Sequence, residues 1–219
     1  MGGFRAVIFD MDGVLADSEP LYHQGLNEVL RDFGLAITEA EHATLLGKTI
    51  KATWDVIFEK HSLPASYDEC VVRYDRVMVR LLSQPREPLP GAQELLTEIR
   101  RRRTPLGLAS SSLSNWIDAL LHATGLDGSF DVIVSSTDVE NGKPAPDIFL
   151  HTAAKLGVPP GQCLVVEDSR SGVAAAKAAG MYAVQLRAAS TALPPLPEAD
   201  LVLERLSDFP LALLEPVNG

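Results

Sequence analysis

Residues 5–14 read RAVIFDMDGV. The run from Arg5 to Met11 is short, apolar and rich in β-branched and aromatic members, which predicts a strand buried on both faces. Asp12-Gly13 closes it like a turn. The segment therefore delivers two acids, Asp10 and Asp12, at the carboxyl end of a buried strand. In extended backbone, residues two apart point to the same side.

Downstream the texture changes twice. From Ser18 to about Gln84 the chain is polar and helix-forming, with a first helix that stops at Gly34. Further helical stretches are predicted near Thr38–Leu46, Thr49–His61 and Ser66–Leu82. The proline-rich QPREPLPG at Gln84–Gly91 reads as a linker. Beyond it strands and helices alternate. Strands are expected at Pro105–Ala109, Asp131–Val134, Cys163–Val166 and Tyr182–Leu186, with an edge strand at Asp200–Leu203. Helices are expected near Gly91–Arg102, Leu113–Thr124, Pro146–Leu156 and Ser171–Ala179. Such alternation implies an α/β domain with a doubly wound parallel sheet covered by helices. The expected organisation is a Rossmann-like core over 1–16 and 87–219, interrupted by a small helical domain over 17–86. Ala188–Pro197 reads as a surface loop. The two crossings between insert and core, Leu15–Ser18 and Gln84–Pro90, have the character of a hinge.

Composition narrows the function classes. With 46% hydrophobic residues in 219, a sizeable core is available and global disorder is excluded. No apolar run nears the roughly 20 residues that span a bilayer, so no membrane partner is expected. The N-terminal apolar run ends in acids and does not read as a signal peptide. The formal net charge of −10 argues against nucleic acid, which demands a basic footprint. Only Cys70 and Cys163 are present, without metal-ligand spacing, which suits a reduced, cytoplasmic protein. The expected assembly is a monomer or weak dimer.

In a parallel sheet, loops following strands gather at one edge, where ligands bind. Here those loops carry Asp10, Asp12 and Gly13; Ser110, Ser111 and Ser112; Asp138, Glu140 and Lys143; and Glu167, Asp168 and Ser169. Asp10 and Asp12 repel unless a cation lies between them. A hard divalent ion with oxygen ligands answers that need, and magnesium suits a site that also holds phosphate. Asp168 can add an oxygen ligand. Ser110 can donate to a phosphate oxygen beside a helix start. Lys143 can neutralise phosphate and nucleophile. Blander readings stand beside these: serines cap helices, Glu167-Asp168 can cap the helix that follows, and a lysine is commonly a surface residue.

These residues, in this order, resemble the haloacid dehalogenase superfamily of phosphohydrolases. The resemblance rests on DMDGV at Asp10–Val14, Ser110 within LASSS, Lys143 within GKPAPD, and VVEDSRSG at Val165–Gly172. DSEP at Asp17–Pro20 and KPAPDIF place the chain near the β-phosphoglucomutase and sugar-phosphatase-like branch, with the helical insert as its small cap. The resemblance implies a magnesium-dependent phosphatase acting on a small phosphorylated metabolite, a sugar phosphate in the first instance. Asp10 would be the nucleophile and Asp12 the acid and then the base, with its backbone carbonyl also on the metal. Ser110 and Lys143 would hold the phosphoryl group. Asp168 would ligate magnesium, with Glu167 beside it, directly or through water.

Asp12 separates the chain from the carbon–halogen-cleaving members, which lack an acid there. Phosphonate-cleaving relatives need an imine-forming lysine in the insert, for which no local motif is present. The alternative is a β-phosphoglucomutase-like isomerase. Against it, Tyr22 falls where the mutases carry a histidine, with His23 one residue later, and Ile50 falls where they carry an arginine. His23, Lys48 and Lys51, with Ser111 from the core, are the substrate-binding candidates, and Trp54 reads either as a ligand platform or as insert core. A catalytically silent module on this fold is the third reading, disfavoured by intact Asp10, Asp12, Lys143 and Asp168.

Overall fold

The computed structural model describes residues 3–45, 49–189 and 193–214. The chain separates into two compact units, Met1–Asp17 with Arg86–Gly219, and Ser18–Pro85.

The larger unit is built on six parallel strands among the described residues. They are β1 (Ala6–Phe9), β2 (Leu106–Ala109), β3 (Val132–Val134), β4 (Cys163–Glu167), β5 (Tyr182–Leu186) and β6 (Leu201–Leu203), in the order β3-β2-β1-β4-β5-β6. Parallel strands buried on both faces read as near-continuous apolar runs. AVIF of β1 and LGLA of β2 are buried throughout. Alternate residues Ala6, Ile8, Cys163, Val165 and Ala183 share a cluster with Ile148, Phe149 and Ala153 of α7 (Asp147–Leu156) and with Val173, Ala175 and Ala176 of α8 (Arg170–Ala178). The intervening Val7, Phe9, Leu164, Val166 and Val184 are equally inaccessible, so the opposite face is covered too.

The strand order carries the functional consequence. From β1 the chain adds β2 and then β3 on one side, and then crosses back to lay β4 on the other. The direction of winding therefore reverses between β1 and β4, the switch point at which open α/β sheets form their ligand crevice. Phe9 pairs with Val166, and Asp10 donates its N–H to the Val166 carbonyl at 2.9 Å. Register alone thus brings Asp10 level with Glu167.

The second unit is helical. It comprises α1 (Glu19–Arg31), α2 (Glu39–Ala43), α3 (Ile50–Lys60) and α4 (Tyr67–Leu82) among the described residues. Thr38, Thr49 and Ser66 begin the last three by accepting backbone N–H bonds, and Glu41 and Glu69 complete capping boxes with Thr38 and Ser66. The stretch expected as a helix to Leu46 is helical only to Ala43, and residues 46–48 lie outside those described. Trp54 is fully buried, edge-on to Tyr74 with centroids 5.8 Å apart, which puts its ring among packed side chains. Within the core unit, Leu89 donates its N–H to the Leu15 carbonyl at 2.7 Å, tying together the chain that leaves for the helical unit and the chain that returns.

Candidate active site

The site is assembled from four strand ends. β1 presents Asp10 and Asp12. β2, which follows α5 (Ala92–Arg101), presents Ser110–Ser112, ahead of α6 (Ser114–Thr124). The segment between β3 and α7 presents Lys143, and β4 presents Glu167 and Asp168.

Lys143 organises the centre. Its Nζ donates to Asp10 Oδ1 at 2.6 Å, to Glu167 Oε1 at 2.8 Å and to the Ala109 carbonyl at 3.1 Å. An ammonium has three N–H donors, and all three are used. The side chains of this triad are 5%, 9% and 2% exposed for Lys143, Asp10 and Glu167, so these are buried ion pairs. Burial alone would lower the Lys143 pKa. Asp10 and Glu167 more than offset it, and the ammonium is held well above its ordinary range.

Glu167 is held from its other side as well. Ser169 donates to Oε2 through its N–H at 2.7 Å and its hydroxyl at 2.9 Å. Ser169 also begins α8, accepting from the Gly172 N–H at 3.0 Å. That helix start leaves no room for a side chain: a Cβ at Gly172 would stand 1.7 Å from Glu167 Oε1. At Gly13 both requirements for glycine coincide. Its φ is +73°, and a Cβ there would lie 2.0 Å from Asp168 Oδ2.

Asp12 accepts a bond from the Ser112 hydroxyl at 3.0 Å. Ser110 is fully buried, and its Oγ accepts from the Ser112 N–H at 3.1 Å. Ser111, between them, is exposed.

Carboxylate oxygens of Asp10, Glu167 and Asp168 lie within 4.8 Å of one another. Asp12 also bears on Asp10, so four acids gather at this edge, and two of them, Asp10 and Glu167, share one lysine. Burial drives the Asp10 carboxyl well above its ordinary pKa of 3.8; Lys143 opposes this, and Glu167, Asp12 and Asp168 add to it. One ammonium leaves an excess of negative charge in a site where charge is costly. An all-oxygen donor set with that imbalance fits a hard divalent cation. The residues present therefore suit a metal of the magnesium class.

The winding reversal, the buried Lys143 triad and the oxygen-rich acid cluster coincide at one edge, and the family model for haloacid dehalogenase-like hydrolases matches residues 4–180. The chain belongs to this family. Among members of the haloacid dehalogenase-like group, it is 36% identical over 177 residues to the phosphorylated carbohydrates phosphatase of Thermotoga maritima, covering 81% of this chain and 82% of that one. It is 32% identical over 217 residues to the β-phosphoglucomutase of Bacillus subtilis, covering 96% and 93%. Among solved structures it resembles CbbY from Rhodobacter sphaeroides in complex with phosphate, with a TM-score of 0.87 and 27% identity over 96% of this chain and 99% of that one. A mutant of CbbY in complex with xylulose-(1,5)bisphosphate superposes with a TM-score of 0.84 at 26% identity, covering 97% of this chain and 99% of that one.

Two acids at this edge, Asp138 and Glu140, stay outside this constellation. Asp138 is consumed locally. It caps a 3-10 turn at Ser136–Asp138, accepting from the Ser135 N–H at 2.8 Å and from its hydroxyl at 2.7 Å. Glu140 is exposed. The helix after β4 starts on Ser169, so Glu167 and Asp168 are not its caps. In the helical unit, His23 Nε2 lies 2.9 Å from the Ile37 carbonyl and 2.9 Å from Asn27 Nδ2, and its ring stacks on His42 at 5.0 Å. Lys51 is 76% exposed and donates to Asp55 at 2.7 Å. Lys48 lies outside the described residues. Three contributors were missed from sequence: Ser112 as partner of Asp12, Ser169 as clamp of Glu167, and Gly172 as the opening for that carboxylate. Ser112 carried a signal, since it stands two residues after Ser110 in the same run.

Proposed function

We propose that the chain is a phosphatase that hydrolyses a small phosphorylated metabolite, a sugar phosphate in the first instance, through an aspartyl-phosphate on Asp10. The observation that carries this reading is the buried Lys143, ion-paired at once to Asp10 and Glu167 beside the three-carboxylate cluster. Lys143 fixes the plane of the Asp10 carboxylate. An Asp10 oxygen attacks phosphorus while the ester P–O bond breaks, and Asp12 gives its proton to the departing alkoxide. Water then attacks phosphorus, Asp12 takes the water's proton, and the Asp10–phosphorus bond breaks to release phosphate. The Ser112 hydroxyl orients Asp12 for both transfers. Ser110 accepts from Ser112, which leaves its own hydroxyl hydrogen for a phosphoryl oxygen.

Magnesium is the proposed ion, held by Asp10, Asp168 and the Asp12 backbone carbonyl. Both oxygens of Glu167 are already engaged, which favours its acting through a water. When bound, the ion supplies charge neutralisation as a Lewis acid. The small-molecule ester class follows the phosphorylated carbohydrates phosphatase named above, and CbbY bound to a sugar bisphosphate points the same way. Discrimination among esters is assigned to the helical unit, with His23, Lys48 and Lys51 as candidates and Ser111 as their counterpart in the core.

A second reading, a β-phosphoglucomutase-like isomerase, draws on the likeness to the Bacillus enzyme over nearly the whole chain. One experiment addresses both. Phosphate release from a panel of phosphorylated metabolites is measured beside isomerisation of β-glucose 1-phosphate, for the parent and for Asp10→Asn checked by circular dichroism. Release abolished by Asp10→Asn in a folded protein is the expected result. Isomerisation without net phosphate release establishes the second reading instead.

A further inference from the structure

We infer that Phe149 is a positioning residue of this site, its ring face holding the Lys143 ammonium in place. The inference rests on the role given to Lys143 above. An ammonium is tetrahedral: the Cε bond takes one direction and the three N–H bonds take the others. Those bonds run to Asp10, Glu167 and the Ala109 carbonyl. They do not supply the rest of the cation's surroundings, and water does not either, because the Lys143 side chain is 5% exposed. The Phe149 ring fills that place. Nζ lies over it at 4.9 Å from the centroid, inside the roughly 6 Å reach of a cation–π contact. Phe149 itself is fully buried.

The placement follows from the chain. Lys143 precedes α7, and Phe149 stands on the first turn of α7, the helix that packs on β1, β2 and β3. Packing that seats the helix against the sheet therefore also seats the ring against the lysine. The negative face of the ring attracts the ammonium where water is excluded, whereas an aliphatic side chain of similar size fills space without that attraction. The two acids attract the cation through its N–H bonds, and the ring face adds its own attraction. The position of Nζ, and with it the plane of the Asp10 carboxylate, depends on both.

The test separates ring electronics from ring volume. Phe149 alone is replaced by 4-fluoro-, 3,5-difluoro- and 3,4,5-trifluorophenylalanine, which keep the shape and progressively weaken the negative face. Two quantities are read in each protein: the steady-state constants on the best ester, and the ¹⁵N resonance of Lys143 Nζ without substrate, assigned by its loss in Lys143→Met. The expected result is a stepwise fall in kcat of about tenfold across the series with KM little changed, and a parallel drift of the resonance. A resonance that does not move overturns the inference. So does a resonance that moves while kcat stays constant, because the ring would then touch the lysine without positioning it for chemistry. If the parent releases phosphate from no ester, the functional reading fails, and the resonance series, which needs no turnover, still decides whether the ring holds the ammonium.

Discussion

Replacing Lys143 by Met keeps the length of the stem and removes the charge. Two carboxylates, Asp10 and Glu167, then lose ion pairs of 2.6 and 2.8 Å in surroundings that leave them 9% and 2% exposed. Breaking a buried pair from one side costs about 3–5 kcal/mol, because the remaining charge is stranded. For a chain of this size that corresponds to a fall in Tm of roughly 6–20 °C. The loss should shrink as pH is lowered. A carboxyl whose folded pKa is raised above its unfolded value binds its proton more tightly in the native state, so stability falls as pH rises between the two. Asp10 is already driven upward in the presence of Lys143. Without it the Asp10 carboxyl rises further still, so the variant should regain stability relative to the parent as pH is lowered through that raised pKa towards 3.8. Adding Glu167→Gln removes one stranded charge and should recover at least about 1 kcal/mol. The assay is urea unfolding in excess chelator. The chain has two tryptophans, Trp54 in the helical unit and Trp116 on α6, so a Trp54→Phe background leaves fluorescence that reports on the core. A loss under about 1 kcal/mol at pH 7, the worth of an exposed pair, would refute the picture of a closed, buried triad.

Other outcomes follow from the same geometry. Gly172→Ala places a methyl 1.7 Å from Glu167 Oε1, so the carboxylate must move, and destabilisation of about 1–3 kcal/mol with a drop in kcat is expected in urea unfolding and phosphate-release assays. Magnesium should be required for turnover: chelation should stop phosphate release and re-addition restore it, and full activity in excess chelator would remove the metal from the proposal. Burial first, and then the neighbouring His23, hold the His42 pKa below 6.5. On acidification through 6.5 the unfolded chain takes up a proton that the folded chain refuses, so stability falls until the lowered folded pKa is reached. Trp54 fluorescence in a Trp116→Phe background should report that fall, and His42→Asn should flatten it. Lys51→Ala should shift the relative rates on bulky esters and spare acetyl phosphate; equal loss on every substrate would sink the assignment of specificity to the helical unit.

The parallel sheet was legible because strands buried on both faces cannot alternate. AVIF, CLVV and LGLA after Pro105 carry no polar side chain, YAVQL after Met181 carries one, the buried Gln185, and turn residues punctuate these runs. The helices of the insert were legible through Thr38, Thr49 and Ser66, whose caps are local. The strand order was not, since alternation fixes the elements but not which side of β1 receives β4. The same limit governs the site. Asp10, Lys143 and Asp168 stood out by residue type after a strand. The pairing of Ser112 with Asp12 joins residues a hundred positions apart, and only topology supplies it. Asp138 illustrates the opposite error: an acid at the correct edge, satisfied three residues away by Ser135 before it can reach the centre.

The bond from Leu89 to Leu15 has a consequence for descent. It staples the outgoing and returning chain side by side, so from the standpoint of the sheet all of Ser18–Pro85 is a single loop whose ends already meet. Closing such a loop grows costlier only by about 0.6 kcal/mol for each doubling of its length. Mutation can lengthen, trim or exchange the excursion while the register of β1 on β2 and β4 stays as it is. The sheet edge that carries Asp10 and Lys143 can thereby keep its geometry while the helices spliced into it change.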